Sequence, residues 1–225
     1  MLTDALEDVT PPDHVPAVLD CGGGSGRFAV PLAEAGAHVT VVDISADALA
    51  TLVRRAEESS VADRILPVQD DVETFSGQQG SSRFDLVLAH EILEVIDDPA
   101  ALLASMAGAV RTGGLVSILV VNPAALVLSR ILAGDVRSAR DTLRRDAEGP
   151  AQSLNLASLA RLCVQHGLFI EHANGIGVFA ELLPESDLGP DTPDLLEELD
   201  GLASSRTPYR DIAGRLHVLA RRPVD

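Results

Sequence analysis

The feature that most constrains this chain is a glycine-rich turn that follows a short apolar run. The turn is Asp20-Cys21-Gly22-Gly23-Gly24-Ser25-Gly26, and a helical pattern over Arg27–Ala35 comes directly after it. A second apolar run, Val39-Thr40-Val41-Val42, ends in Asp43. Strand, glycine turn and helix form the first half of a βαβ unit, whose tip binds nucleotides through close backbone approach. Because an acid that ends the second strand accepts ribose hydroxyls, Asp43 is expected to face a nucleoside.

The spacing of the glycines distinguishes between classes of nucleoside site. A dinucleotide GxGxxG read from Gly22 would need glycine at position 27, which is Arg27. The chain instead has DxGxGxG, which resembles the pattern of class I S-adenosylmethionine-dependent methyltransferases. The resemblance implies that the N-terminus of the following helix faces the amino-acid carboxylate of the cofactor. The alternative is a tight turn in another α/β protein.

Composition favours one large domain over 1–225 in a reducing cytoplasm. Hydrophobic residues make up 46% of the chain, which is enough for a buried core. The N-terminus has no basic region of a signal peptide, and no apolar run approaches the roughly 20 residues of a membrane helix. We therefore expect no membrane partner. Cys21 and Cys163 do not have metal-ligand spacing.

The charge of the chain argues against non-specific nucleic-acid binding. The net charge is −17, and all 17 basic residues are arginine. Such a field repels polyanions, although salt screening allows a local basic patch to act. Arginines are concentrated in Arg130–Arg145 and again in Arg206–Arg222.

Apolar runs alternate with helical patterns, which predicts a Rossmann-like, doubly wound α/β fold. Its sheet is expected to have seven strands and to be mostly parallel, and by resemblance to methyltransferases the last strand is antiparallel beside the sixth. The strands are predicted at Ala17–Cys21, His38–Asp43, Ile65–Asp70, Phe84–Ala89, Leu115–Val121, Leu168–Ala173 and Leu216–Arg221. The helices are predicted at Arg27–Ala35, Ala46–Glu58, Pro99–Val110 and Leu156–His166, with Gly113-Gly114 and Gly167 as stop signals before strands five and six.

Two segments extend beyond the minimal fold. The first is a helical insertion over about 122–149, after strand five, and the second covers about 177–209, after strand six. The second contains four prolines and one short helix near Asp194–Leu202. Both leave the sheet on the side expected to hold the ligands, so they are predicted to cover the acceptor. The alternative is that they only shield a face of the sheet.

Two strand ends carry further candidate side chains. By resemblance to the class, an acid after strand three contacts the adenine amino group and the next N–H contacts the ring, which favours Asp71 and Val72 over Asp70. His90 follows strand four and could contact the cofactor, act as a base, or be a half-buried structural histidine. His90-Glu91-Ile92-Leu93-Glu94 lacks the second histidine of HExxH, so we expect no metal site.

The acceptor is expected to be held by arginines. Methyl transfer is an in-line displacement that depends mainly on alignment, and a carboxylate acceptor is already ionised and needs no base. Arginine suits such an anion. The candidates on the edges of the two insertions are Arg144, Arg145, Tyr209, Arg210 and Arg215, with His217 nearby in sequence.

The chain from Leu2 to Pro223 resembles one branch of these enzymes, the tRNA 5-carboxymethoxyuridine methyltransferases. Matching stretches include Val18-Leu19-Asp20, Val41–Ser45, Asp85–His90, Leu132-Ala133-Gly134 and His217-Val218. The branch has a further N-terminal stretch over the cofactor that precedes the first matching residue, and Arg144–Glu148 replaces its basic run. The class pattern and this resemblance together imply S-adenosylmethionine as cofactor, bound by Asp20, Gly22, Gly23, Gly24, Gly26, Asp43, Ile44, Asp71, Val72 and His90.

Three functions remain open at this point. The acidic surface favours an S-adenosylmethionine-dependent methyltransferase that acts on an oxygen of a small-molecule acceptor. The whole-chain resemblance and the arginine cluster favour methylation of a wobble-uridine carboxylate in tRNA. The third function is a non-catalytic cofactor-binding protein, for which a broken cofactor site would be the sign.

Overall fold

The computed structural model describes residues 2–11, 14–78, 83–147, 154–179 and 192–224. Its strands form one sheet in the order β3-β2-β1-β4-β5-β7-β6, with β7 antiparallel, which confirms the predicted fold class. The strands are β1 Ala17–Cys21, β2 His38–Asp43, β3 Ile65–Gln69, β4 Phe84–His90, β5 Val110–Val121, β6 Phe169–Ile176 and β7 Arg215–Arg221.

The described helices precede the first strand or lie between strands along the chain. They are α1 Leu2–Val9, α2 Ala29–Glu34, α3 Ala46–Glu58, α4 Val72–Gln78, α5 Pro99–Ala109, α6 Pro123–Leu132, α7 Val136–Ala147, α8 Leu156–Gln165 and α9 Thr192–Ala203. Ser45 accepts the N–H of Ala48 and Asp98 accepts the N–H groups of Ala100 and Ala101, so both act as N-caps as expected. None of the helices in the described ranges is long and apolar enough to cross a membrane.

The strand register brings the ends of β1, β2 and β4 to one edge of the sheet. In the parallel pairs Cys21 lies opposite Val42 on one side and Ala89 on the other. Because the carboxyl ends of parallel strands form a ligand crevice where the strand order reverses, the residues after Cys21, Asp43 and His90 share that crevice.

The stop predicted at Gly113-Gly114 is wrong, because β5 begins at Val110 and runs through both glycines. The N–H of Gly113 donates to the carbonyl of Arg222, and the N–H of Arg222 donates to that of Gly114. This pairing continues the ladder past the glycines. A Cβ on Gly114 would lie 2.8 Å from the Asp85 carbonyl oxygen, so glycine is needed there for close packing and not for a turn.

The N-terminal segment is attached to the sheet by a buried carboxylate. Asp85 is fully buried and accepts hydrogen bonds from the Ala17 N–H, from His14 Nε2 and from Arg111. Arg111 also donates to the carbonyl of Val9, the last residue of helix α1. A buried carboxylate is tolerated where donors surround it, as they do here.

The chain forms two compact units. One is drawn from residues 1–118, 163–169 and 219–225, and its main core is built on β1, β2, β4 and helices α1 to α3. The other is drawn from 119–162 and 170–218 and contains helices α6, α7 and α9. The first insertion is therefore helical as predicted, whereas 148–153 and 180–191 lie outside the described residues. A single domain over 1–225 stays a prediction.

Candidate active site

The glycine turn has a backbone that only glycine adopts readily. Gly22, Gly24 and Gly26 have φ of +72°, +53° and +79°. The N–H of Gly22 donates to the carbonyl of Val42, which holds the turn against the end of β2. The structure therefore presents bare backbone at the tip of β1.

Gly23 shows why a side chain is excluded even where φ is ordinary. A Cβ there would lie 2.4 Å from Oδ2 of Asp20 and 2.8 Å from Cγ1 of Val41. Asp20 is 1% exposed, and within the described residues its Oδ2 has no hydrogen-bond partner. Burial, and secondarily the charge of Asp43, raises the pKa of Asp20 to about 7. Asp20 thus lies underneath the turn.

Asp43 connects the turn to the next helix. Its Oδ2 accepts the N–H of Gly24 at 2.9 Å, and its Oδ1 accepts the N–H of Ser45 at 2.8 Å. These two bonds fix the orientation of a half-buried carboxylate. Since each oxygen has two lone pairs, each retains one acceptor site for a ligand.

A cavity of about 270 Å³ opens beside Asp43. Its lining is acidic and apolar, without an arginine or histidine: Gly22, Asp43, Ile44, Asp71, Val72, Glu73, Ile92, Val95, Ile96 and Asp97. Ile44 is 73% and Val95 75% exposed, so both offer apolar surface to whatever enters. Such a lining suits a ligand that has flat apolar faces and positive charge.

Five of the predicted cofactor residues meet in this cavity, namely Gly22, Asp43, Ile44, Asp71 and Val72. Asp71 lines the cavity and Asp70 does not; contact of Asp71 with the adenine amino group stays a prediction. Asp70 Oδ1 accepts the N–H of Asp71, while Asp71 Oδ1 accepts the N–H of Glu73 at the start of α4. Gly23, Gly24 and Gly26 shape the turn beside the cavity and do not line it.

His90 ends β4 as a buried residue. Its Nε2 lies 2.8 Å from Oγ of Ser117, and its ring meets the ring of Phe28 edge-on at 4.4 Å. Both contacts hold the imidazole in place, and His90 is not among the residues that line the cavity. Its role as cofactor contact, base or structural histidine stays a prediction. Within the described residues no group of three or more His, Cys, Asp or Glu side chains is arranged to hold a metal ion.

Five further residues line the cavity and were not predicted as site residues: Glu73, Ile92, Val95, Ile96 and Asp97. Four of these lie between β4 and α5, where the chain forms neither helix nor strand and shows no periodicity. The available signal was four large apolar residues, Ile92, Leu93, Val95 and Ile96, in a short connection that is otherwise acidic. Ile92 also explains Gly22, because a Cβ there would lie 2.8 Å from Ile92 Cδ1.

The acceptor candidates lie on separate elements of the second unit. Arg144 and Arg145 are exposed in the last turn of α7. Arg210 bonds to its neighbour Asp211 and to Thr207. The ring of Tyr209 lies 5.8 Å from that of Phe179, and Arg215 begins β7. Nearby, buried His217 has a pKa lowered to about 4 by desolvation, which keeps it neutral.

Asn122, at the edge of the first insertion, is a structural residue that positions part of the predicted acceptor-binding region. It is 2% exposed and its Nδ2 donates to the carbonyls of Asp211 and Ala213. Its Oδ1 accepts the N–H of Ala124 and so caps α6. One side chain therefore joins the start of α6 to the turn that carries Tyr209 and Arg210.

The amino-acid sequence is similar to those of known methyltransferases. A family model described as a methyltransferase domain matches residues 18–114. The tRNA 5-carboxymethoxyuridine methyltransferase of Escherichia coli K12 is 27% identical over 209 residues, which cover 92% of this chain and 80% of the relative. The ubiquinone biosynthesis O-methyltransferase of Aromatoleum aromaticum is 33% identical over 177 residues, covering 78% of this chain and 73% of the relative.

Solved structures share the fold. An S-adenosylmethionine dependent methyltransferase from Mesorhizobium loti superposes with a TM-score of 0.61 at 19% identity, covering 97% of this chain and 96% of that one.

Proposed function

This chain belongs to the class I S-adenosylmethionine-dependent methyltransferases, and we propose that it methylates an oxygen of a small-molecule acceptor, a carboxylate or a hydroxyl. The observation that carries the proposal is the cavity that combines the glycine turn, Asp43 and Asp71. The 33% identical O-methyltransferase supports oxygen as the acceptor atom.

The residues of the cavity fit S-adenosylmethionine by their chemistry. Asp43 retains lone pairs for two ribose hydroxyls after accepting the N–H groups of Gly24 and Ser45. Ile44, Val95 and Val72 suit the faces of an adenine ring. The four acids of the lining favour a ligand that carries positive charge. Bound there, S-adenosylmethionine would supply an electrophilic methyl group on a cationic sulfur.

The remaining task of the protein is alignment of the acceptor. Holding two reactants in line replaces the entropy cost of their encounter and contributes several kcal/mol. For a carboxylate acceptor we propose that Arg144, Arg145, Tyr209, Arg210 and Arg215 are the candidate binding residues, because guanidinium and phenol groups donate to carboxylates. For a hydroxyl acceptor a base is required, and His90 is the proposed one.

The first test is calorimetric titration with S-adenosylmethionine, S-adenosylhomocysteine and NAD. We expect micromolar binding of the first two and none of NAD, since Arg27 replaces the third dinucleotide glycine. NAD binding, or no binding of either methionine compound, would refute the cofactor assignment.

The same titration measures the part played by Asp43. Asp43→Asn and Asp43→Ala are expected to weaken S-adenosylmethionine binding by roughly 1–3 kcal/mol, through loss of charge-assisted hydrogen bonds. Asp63→Asn is the matched control, because Asp63 is an exposed acid outside the cavity. Equal affinity of the Asp43 variants and the control would remove Asp43 from the site.

A second candidate acceptor is a wobble-uridine carboxylate in tRNA. The observation that favours it is the length of the similarity to the tRNA methyltransferase, which covers 92% of this chain. The net charge of −17 opposes it. Transfer of labelled methyl from S-adenosylmethionine to bulk tRNA, compared with a pool of small carboxylic acids and phenols, discriminates the two. A binding protein without catalysis would label neither.

A further inference from the structure

Helix α7 exposes an apolar stripe with arginines beside it. Val136 and Leu143 are 64% and 58% exposed, and their spacing of seven residues places them on one face of the helix. Arg137 and Arg140 are exposed and adjoin this stripe. Within the part of the chain that the structure describes, Arg140 bonds to the neighbouring Asp141, an exposed pair that contributes little. The face combines apolar surface with positive charge in a strongly acidic chain.

Helix α9 exposes a stripe of the opposite charge. Leu195, Leu199 and Leu202 are 63%, 45% and 51% exposed and follow the i, i+4, i+7 spacing of one helix face. Asp194 and Glu198 are exposed beside them. A neighbouring face of α9 packs inward, through Ala203 and through Asp200, which accepts the N–H of Phe179.

We propose that the α7 face of one chain docks against the α9 face of a second copy, so that the protein forms a dimer. Each face presents apolar side chains for burial, and the flanking charges are of opposite sign. Two complementary faces on one chain lead to self-association, and reciprocal pairing closes it as a two-fold dimer. This inference does not depend on the methyl-transfer reaction.

Charge and apolar surface together favour a second copy of this chain as the partner. RNA would pair with Arg137 and Arg140 but would leave the leucines of α9 and the valine and leucine of α7 without apolar contacts. A second copy satisfies both faces at once and matches the acids to the arginines. These are the features that distinguish an interface from scattered surface residues.

The test is a charge swap followed by sedimentation velocity on the full chain. Wild type is expected to sediment as a dimer of 23.6 kDa chains. High salt is expected to weaken dimerisation, because it screens the charges of the interface. Arg137→Glu with Arg140→Glu sets acids against acids, and Asp194→Arg with Glu198→Arg sets arginines against arginines. Each double variant alone is expected to dimerise at least about tenfold more weakly.

An equimolar mixture of the two double variants should restore the dimer, because every α7–α9 contact in the mixed pair is again between opposite charges. Asp47→Arg with Glu57→Arg on α3 is the control, since it changes the net charge as the α9 variant does. Arg144 stays unchanged, so the proposed acceptor residues are intact. Circular dichroism and S-adenosylmethionine titration confirm that each variant is folded.

Three outcomes would overturn the proposal. A wild type that is monomeric throughout the micromolar range has no such interface. A dimer that both double variants leave intact, or that mixing does not restore, uses other surfaces. A monomer that binds bulk tRNA, and loses that binding in the α7 variant alone, would assign the α7 face to nucleic acid.

Discussion

Gly23 packs so closely on the buried side chain of Asp20 that no side chain fits at position 23. A Cβ on Gly23 would meet the buried carboxylate and a core valine, neither of which is a flexible surface group. We expect Gly23→Ala to lower the free energy of unfolding by about 1–3 kcal/mol, as overpacking does. Urea unfolding measures the change, and calorimetry should show weakened S-adenosylmethionine binding as well.

The matched control is Gly108→Ala in the exposed part of α5. Nothing lies within 4 Å of a Cβ built on Gly108, so this variant is expected to be more stable by roughly 0.5–1 kcal/mol through helix propensity. If the two variants change stability alike, the close contact under Gly23 has no energetic consequence.

The raised pKa of Asp20 makes the free energy of unfolding depend on pH. Its ordinary carboxyl pKa of 3.8 rises to about 7 in the folded protein, so the folded state holds the proton more tightly. The stabilisation that results from this tighter proton binding is therefore fully present below pH 3.8 and is lost as the pH rises through 7. The loss in the free energy of unfolding is on the order of 4 kcal/mol.

Asp20→Asn removes this titration while keeping the shape of the side chain. We expect the variant to gain stability relative to wild type between pH 5 and pH 8, measured by urea unfolding at both pH values. A wild-type-to-variant difference that is identical at the two pH values would show that Asp20 is ionised to the same extent in the folded and unfolded chain.

At the level of elements, Asn122 connects a helix start to a distant turn. Asn122→Ala removes the N-cap of α6 and the donor shared by two carbonyls, and should lower stability by about 2–4 kcal/mol. Asn122→Ser keeps a capping oxygen and loses only the donor, so its loss should be about 1 kcal/mol smaller. Thermal or urea unfolding measures both. Equal losses would mean that the cap contributes nothing.

Regular elements were predictable where their patterns were strong. All seven strands were located from apolar runs, and β1 and β2 match residue for residue, because a buried parallel strand is hydrophobic throughout. Helices α1 and α4 were not predicted; both are short, and α4 contains Thr, Ser and Gly, which weakens any periodic signal. Helix α2 begins at Ala29 and not Arg27, because the turn extends through Phe28.

The residues of the candidate site also fall into a predictable and an unpredictable group. The meeting of Gly22, Asp43 and Asp71 at one cavity was predictable because strand ends and fixed spacing place these residues at the same edge of the sheet. Ile92, Val95, Ile96 and Asp97 were not, because they lie in a connection whose path depends on tertiary contacts such as that of Ile92 with the turn. Asn122 required the fold, since its partners are 89 and 91 residues away in sequence.

For the whole molecule, the dominant property is a net charge of −17. Self-repulsion of this size destabilises a compact state, and salt screens it within about 10 Å at 0.1 M. We therefore expect the melting temperature to rise between low and moderate NaCl. An uncharged osmolarity control separates screening from excluded-solute effects. A flat or falling melting temperature would indicate that local ion pairs outweigh the overall repulsion.

Cys21 closes β1 directly beneath the glycine turn, and burial raises the pKa of its thiol. A thiol of this kind reacts with an alkylating reagent only when the local structure opens. The rate of Cys21 modification therefore reports how often the structure around the turn opens. Cys163, which is also buried and whose pKa is raised to about 11, is an internal standard. Alkylation of the two native cysteines, followed by mass spectrometry, thus measures local opening beneath the glycine turn without any substitution in the chain.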